Sequence, residues 1–352
     1  MKLFIKESLL YEIDFENDFS DVSYRCLEID ELKNYLNDVL SNRGKKTKDR
    51  KKFPKNKPFI HSKSILFNGE KVDIAFLKKE ISKEPNTVIS SNSKMNKSSD
   101  QYNYYVSTSF PALRGLAYDQ EKDQFLNINT CPGAGECATI CYALKGNYII
   151  WPKTYDLYTK RLNFLLNHPD KYEEKLFNEL MAVANKIGAN KDSYVTLNIR
   201  WNDSGDFFSK KYIEIAESIL NRLDNADVNY KSYGYTKVAK AMDVGGSKMN
   251  YSLGGSPKEK KKLKNNNHSE SVVIPNELAK GIKFNKPSDM EIYKKRVAEF
   301  FDIKDESKLL TYFEMLQTPE GDAPIYHVIV TPNDGDVAAR RTDVKTTMLS
   351  FH

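Results

Sequence analysis

Cysteine is scarce in this chain, with four residues in 352. A disulfide scaffold needs many paired cysteines in a short secreted sequence, so that class is excluded. No apolar run approaches the roughly 18 residues of a membrane span. The opening MKLFIKESLLYEIDFE is too acidic and too polar for a signal peptide. Both absences predict a cytoplasmic protein without membrane contact. Histidine is scarce too, at five residues. No Ser/His/Asp constellation, Walker-type phosphate loop or internal repeat of fixed period is present, which removes the classes those signatures mark.

What is present supports a real core: 40% of residues are hydrophobic and 12% aromatic, enough for one large domain with an appendage or two medium domains. The net charge of +6 is unevenly placed. Arg43 to Lys57 (RGKKTKDRKKFPKNK) carries nine basic residues against Asp49, a net of +8, and the run 258–264 (KEKKKLK) adds +4. Everything else sums to −6. Such runs are ordinarily solvated faces, but the same charge could hold a nucleotide or a nucleic acid through its phosphates. The 21 tyrosines are dispersed and not interleaved with these runs, which favours packing over base stacking.

The pattern of the chain divides into an N-terminal α+β extension over residues 1–89, a polar linker over 90–101 and an α/β domain over 102–352. In the extension, residues 2–15 alternate as a strand. CLEIDELKNYLNDVL has helical spacing with Asp30 as a cap, and SILFNGEKVDIAF predicts a hairpin about Asn68-Gly69. From residue 102, strands alternate with helices. This predicts α/β architecture, either a partial (β/α) barrel or a mainly parallel sheet, with chemistry at the carboxyl ends of the strands. Short strands are also expected at SVVIPNE and GIKFNK.

Three of the four cysteines fall within eleven positions, in TCPGAGECATICYALKG, spaced Cys131-x5-Cys137-x3-Cys141. Thiolates select zinc, copper(I) or iron–sulfur units. Structural zinc wants four donors, and here the fourth would have to be distant, such as His327 or Cys26. A [4Fe–4S] cluster held by three thiolates needs no fourth protein donor and leaves one iron open for a small molecule. Pro132, Gly133 and Gly135 suit a loop that closes tightly on a cluster.

Further candidates lie at strand ends. Arg200, Asn202, Asp203 and Asp206 cluster within seven positions, where they could bind a charged ligand or cap the next helix. Asn198 and Arg200 make one face of their strand polar. Lys237 follows a strand and could receive a cofactor carboxylate or a phosphate. Ser252, with Gly254 and Gly255, ends another strand and could line a nucleotide site. Near the C-terminus, TPNDGDVAARR has the composition of a turn.

The strings CPGAGECATICYALKG, NIRWNDSGDFFSKKY, SYGYTKV and YSLGGS resemble the bacteriophage gene-product-88-like family over residues 104 to 352, four motifs in the right order. The likeness implies a phage gene acting in the host cytoplasm. A second resemblance is one of organisation, to radical S-adenosylmethionine enzymes. It implies that Cys131, Cys137 and Cys141 hold a [4Fe–4S] cluster whose open iron takes S-adenosylmethionine. Gly205 and Asp206 would receive the cofactor's ammonium, and Tyr142 would be the aromatic beside the last cysteine. Those enzymes space their cysteines x3 and x2, where this chain has x5 and x3. Arg200, Asp203 and Lys237 are then the candidate catalytic groups, and Tyr142, Asn198, Gly205, Asp206 and Ser252 the candidate cofactor-binding ones. The alternative is a zinc-stabilised nucleic-acid-binding or host-interaction protein without catalysis.

Overall fold

The computed structural model of the chain describes residues 19–45, 54, 56–91, 93–139, 141–144, 150–263 and 268–350. The strand expected over residues 2–15 lies outside the described residues. Eleven strands are described: β1 (Tyr24–Leu27), β2 (Asn103–Ser107), β3 (Arg114–Asp119), β4 (Gln124–Asn129), β5 (Thr196–Trp201), β6 (Tyr230–Thr236), β7 (Ser247–Ser252), β8 (Ser269–Ile274), β9 (Leu309–Thr311), β10 (Tyr326–Val330) and β11 (Val344–Ser350). Eight of them form one sheet in the order β2-β5-β6-β7-β8-β11-β10-β9, every pairing parallel. The α/β expectation is met by this open parallel sheet. The other three form a small antiparallel sheet, β1-β4-β3, so the N-terminal region shares a sheet with the chain that leads into the cysteines. Among the described residues no helix is long and apolar enough to cross a membrane.

Parallel strands need both faces covered, because each crossover lays a helix on the sheet. One face of β5 (Leu197, Ile199, Trp201) joins a core with Leu162, Leu165, Leu176, Leu180, Tyr212, Ile215 and Ile219, from the helices Pro152–Asn167, Pro169–Ile187 and Lys210–Asn225. The alternate residues of β5, Asn198 and Arg200, must point to the other face. The helices Ser93–Ser98 and Val337–Arg340 pack on that face, where Met95, Tyr105, Tyr233 and Ala339 make a second cluster.

Several local expectations are corrected. Asn68 and Lys71 form an isolated bridge about the Asn68-Gly69 turn, but no hairpin follows. Asp73 accepts from the Phe76 amide and starts the helix Ile74–Ile81, burying Leu77 and Ile81 four positions apart. The linker 90–101 contains the helix Ser93–Ser98, anchored by fully buried Met95. Residues 281–286 form no strand but a turn at Gly281, where Phe284 packs on Tyr293 with ring centroids 5.4 Å apart. Glu28, not Asp30, precedes the first helix, which has no side-chain cap.

One buried cation gives the fold a pH signature. Lys248, near the amino end of β7, donates through Nζ to the Arg341 and Val344 carbonyls. Burial depresses its pKa to about 7; Asp343 and Glu320 oppose the shift, and Arg340 and Arg341 assist it. A protonated Lys248 therefore opposes folding. The penalty is full below pH 7 and fades as pH rises toward the ordinary lysine value. Relative to Lys248→Met, the wild type should gain stability between pH 7 and 10, by up to about 1.4 kcal/mol per pH unit. Urea midpoints of the two proteins measured at intervals across that range should converge or cross; parallel curves would refute the assignment.

Candidate metal centre

The cysteine loop begins where β4 ends and lies across the carboxyl ends of the parallel strands. Thr130 O accepts from the Asp206 amide at 2.9 Å, tying the loop to the segment after β5. Ala134 bridges Gly255, the Cys137 amide donates to Gly254 O at 3.2 Å, and the Ser256 amide donates to Gly133 O at 2.8 Å. The loop is thus held backbone to backbone against the turn after β7. This contact explains the glycines. A Cβ on Gly133 would overlap the Lys237 carbonyl and sit 2.9 Å from the Lys237 Cβ. One on Gly135 would sit 2.7 Å from Gly255 O, and one on Gly254 would sit 3.1 Å from the Cys137 Cβ.

Cys131, Cys137 and Cys141 are all free and half-buried. The Cys131 Sγ accepts from the Leu113 amide at 3.3 Å. Leu113 holds a positive φ of 59°, and Asn202, after β5, one of 56°. Side-chain-bearing residues rarely adopt such angles, and where they do the strain often marks a functional region. Burial pushes the Cys131 thiol up to about 12, with the Asp206 charge adding to the shift and Lys237 opposing it. Burial raises Cys141 too, against amide hydrogen bonds and Lys237. Both thiols therefore carry protons at neutral pH, and ligating a metal must release them.

Lys237 is the counter-charge of the loop. Burial alone would lower its pKa, but Asp206 and the thiolates of Cys137, Cys131 and Cys141 raise it overall. Among the described residues its ammonium forms no ion pair. Asp206 holds the Lys237 backbone. The carboxylate accepts from Phe207 N (2.8 Å), Thr236 Oγ1 (2.6 Å) and Lys237 N (2.9 Å), joining the ends of β5 and β6. Gly205 has φ +80° and packs so closely on Phe110 that a Cβ would lie 3.1 Å from the Phe110 Cβ.

The remaining candidates divide by face. Ser252, at the end of β7, pairs Oγ to Oγ with Ser271 at 3.0 Å, next to the turn that seats the loop. The Tyr142 side chain lies outside the described residues. Arg200, Asp203 and Asn198 are buried elsewhere. Arg200 Nη1 lies 2.6 Å from Asp336 Oδ2 and 3.1 Å from Asp203 Oδ1, and its guanidinium stands 5.2 Å from the Tyr235 ring centroid. Asn198 donates to Thr196 O at 3.2 Å. Neither Asp203 nor Asp206 caps the following helix; Ser209 does, accepting from the Tyr212 amide at 3.1 Å. Two wall residues gave no sequence signal. Asp336 sits in the segment expected to be a turn, and Tyr155 donates from its hydroxyl to Ala143 O at 2.5 Å, with Cys141 and Cys131 adding to the rise that burial causes in its pKa.

Neither distant zinc ligand is placed to complete a tetrahedral site. His327 lies near the amino end of β10, opposite the cysteine end of the sheet, and Cys26 pairs with Leu126 inside the antiparallel sheet. A single zinc with ~2.3 Å bonds needs its thiolates within about 4 Å of one another. Among the described residues no group of three or more His, Cys, Asp or Glu side chains is placed to hold a metal ion.

A protein-family model described as Gene product 88 matches residues 81–317. No curated protein and no solved structure matches the chain.

Proposed function

The chain belongs to the phage gene product 88 family, and from that premise we propose that it is an iron–sulfur protein acting as an enzyme on S-adenosylmethionine. Cys131, Cys137 and Cys141 would hold a [4Fe–4S] cluster with one iron free of protein ligands. The observation that carries the reading is Lys237, a half-buried residue packed against Gly133 and Gly255 of the loop and its seat, with no ion pair among the described residues and with Asp206 and the three cysteines as the charges around it. A cluster on three thiolates is net negative, and a negative group withdrawn from water needs such a cation beside it. When bound, cluster and cofactor would supply one-electron cleavage followed by hydrogen abstraction, chemistry that belongs to the cofactor. The protein's part is to shape the loop, supply the compensating charge and fix it through Asp206.

Two features separate this chain from radical S-adenosylmethionine enzymes in detail. The cysteine spacing is wider, and the strand entering the loop belongs to the antiparallel sheet, not to the parallel one. The site nevertheless lies at the carboxyl ends of parallel strands, where α/β folds gather their ligands.

Anaerobic reconstitution tests the reading. The protein should take up about four iron atoms and turn brown, with broad absorption near about 400 nm. Cys137→Ala should abolish this, and S-adenosylmethionine should change the spectrum of the wild type. A colourless protein carrying one zinc would sink the proposal.

A further inference from the structure

We infer that the cysteine site is the centre of a single-stranded nucleic-acid track, bordered by the two ends of the chain's basic segments. The inference deepens the iron–sulfur reading by naming a substrate class. It rests on that reading only for what is done to the strand.

The two basic runs begin at positions 43 and 258, far apart in sequence, yet the end of the first and the start of the second adjoin residues that contact the cysteine loop or its neighbour Tyr155. On one side Lys57 is followed two residues later by Phe59, whose ring centroid lies 4.7 Å from that of Tyr155. Tyr155 in turn bonds the loop at Ala143. The same segment is pinned to the helix Pro152–Asn167 by the Ile65 amide, 3.1 Å from Asp156 Oδ2, and by the Ser64 hydroxyl on the same carboxylate. On the other side Ser256 donates to Gly133 O and caps the short helix Pro257–Lys260, so Lys258 and Lys260 begin two residues from the loop.

The charges on that side are available. Glu259 is spent on the Ala239 amide, at 2.9 Å, and on Lys262. Lys258, Lys260 and Lys261 are exposed and form no ion pair among the described residues. Lys153 is exposed in the first turn of the helix Pro152–Asn167, and Lys237 stands against Gly133 and Gly255. The loop itself carries one acid, Glu136.

An aromatic completes the pattern. Trp151 is 62% exposed, four positions before Tyr155, between Ile150 (57% exposed) and Pro152-Lys153. Other aromatics are exposed too, Tyr194 and Phe313 among them, but Trp151 is the one four positions from the tyrosine that bonds the loop. Exposed rings set among unpaired cations are how proteins hold single strands, stacking bases while lysines take the phosphates. The dispersed tyrosines of the sequence gave no hint of this, because the aromatic concerned is a tryptophan outside both basic runs.

The test uses the full-length protein and roughly 20-nucleotide fluorescein-labelled single strands of DNA and RNA, read by anisotropy. Four phosphate contacts predict that affinity falls about 50-fold between about 50 and 200 mM salt. The triple variant K258E/K260E/K261E should bind at least about tenfold more weakly and lose only about threefold over the same salt range. Trp151→Ala should cost at least about fivefold. The other tryptophan, Trp201, is fully buried, so quenching of exposed tryptophan emission by the oligonucleotide reports Trp151. The track is overturned by absence of binding at low salt, by unchanged binding in these variants, by equal or tighter binding of a duplex of the same length, or by equal competition from polyglutamate. Iron content is read on the same samples. Because Cys137→Ala should lose iron and keep strand binding, failure of the cluster and failure of the track give different results.

Discussion

Asp336→Ala should destabilise the protein by about 3–5 kcal/mol, because it strips the main counter-charge from a buried guanidinium. Asp336 is 1% exposed, and one of its oxygens receives both Arg200 Nη1 at 2.6 Å and the Tyr233 hydroxyl at 3.0 Å. Its own amide donates to Ser98 Oγ at 2.6 Å, so the residue also pins the helix Ser93–Ser98 under the sheet. Removing the carboxylate leaves Arg200 with Asp203 at 3.1 Å as its closest charge and takes the acceptor from Tyr233. Burying a charge without its partner costs more than the pair ever contributed. The triple variant R200M/D203N/D336L, which removes the guanidinium together with both carboxylates that face it, should therefore recover most of the loss. Chemical denaturation of the three proteins measures both numbers. A loss below about 1 kcal/mol for Asp336→Ala would mean the pair behaves as an exposed one.

This network also shows where the sequence is readable and where it is not. The alternation in TLNIRW is a local property, so a polar face carrying Asn198 and Arg200 could be foreseen from period two alone. Its partner could not. Asp336 comes 136 positions later, in a segment rich in Asn, Asp and Gly, and only the crossover from β10 to β11 carries it under β5. The cysteine loop divides in the same way. Its glycines were legible as a demand for close approach, but what approaches is the backbone at Lys237 and Gly255, set by strand order. QFLNIN was legible as a strand, yet membership of the antiparallel sheet depends on partners that no local pattern names. IAFLKKEI was misread because a short apolar run fits both periods; Asp73, an N-cap placed three residues before Phe76, was the available correction. Charge was the least legible quantity. Two basic runs look like solvated loops, and only folding shows that their neighbours Phe59 and Ser256 meet Tyr155 and the cysteine loop.

Gly133→Ala should abolish cluster loading while leaving most of the fold intact. The added methyl would overlap the Lys237 carbonyl and stand 2.9 Å from the Lys237 Cβ. Ordinary carbon contacts lie at about 3.5–4.0 Å, so the two segments must part by about 1 Å or more. The carbonyl end of a strand in an eight-stranded sheet is the stiffer partner, and the loop is the one that moves. Its seat is slight: the Ala134–Gly255 bridge, the Cys137 amide on Gly254 and the Ser256 amide on Gly133. Losing these unseats Cys137 directly and draws Cys131 away from Lys237. The cost to global stability should be about 1–3 kcal/mol, as for other overpacked contacts. The cost to iron binding should be complete, since three thiolates must meet one cluster. Gly44→Ala serves as the comparison. Gly44 also has a positive φ, +78°, but nothing lies within 4 Å of an added Cβ, so strain without collision should leave iron loading at the wild-type level. Iron per chain after anaerobic reconstitution, with urea denaturation of the same samples, separates the two effects. Full loading in Gly133→Ala would mean that the cluster does not depend on the loop's seat against β6 and β7.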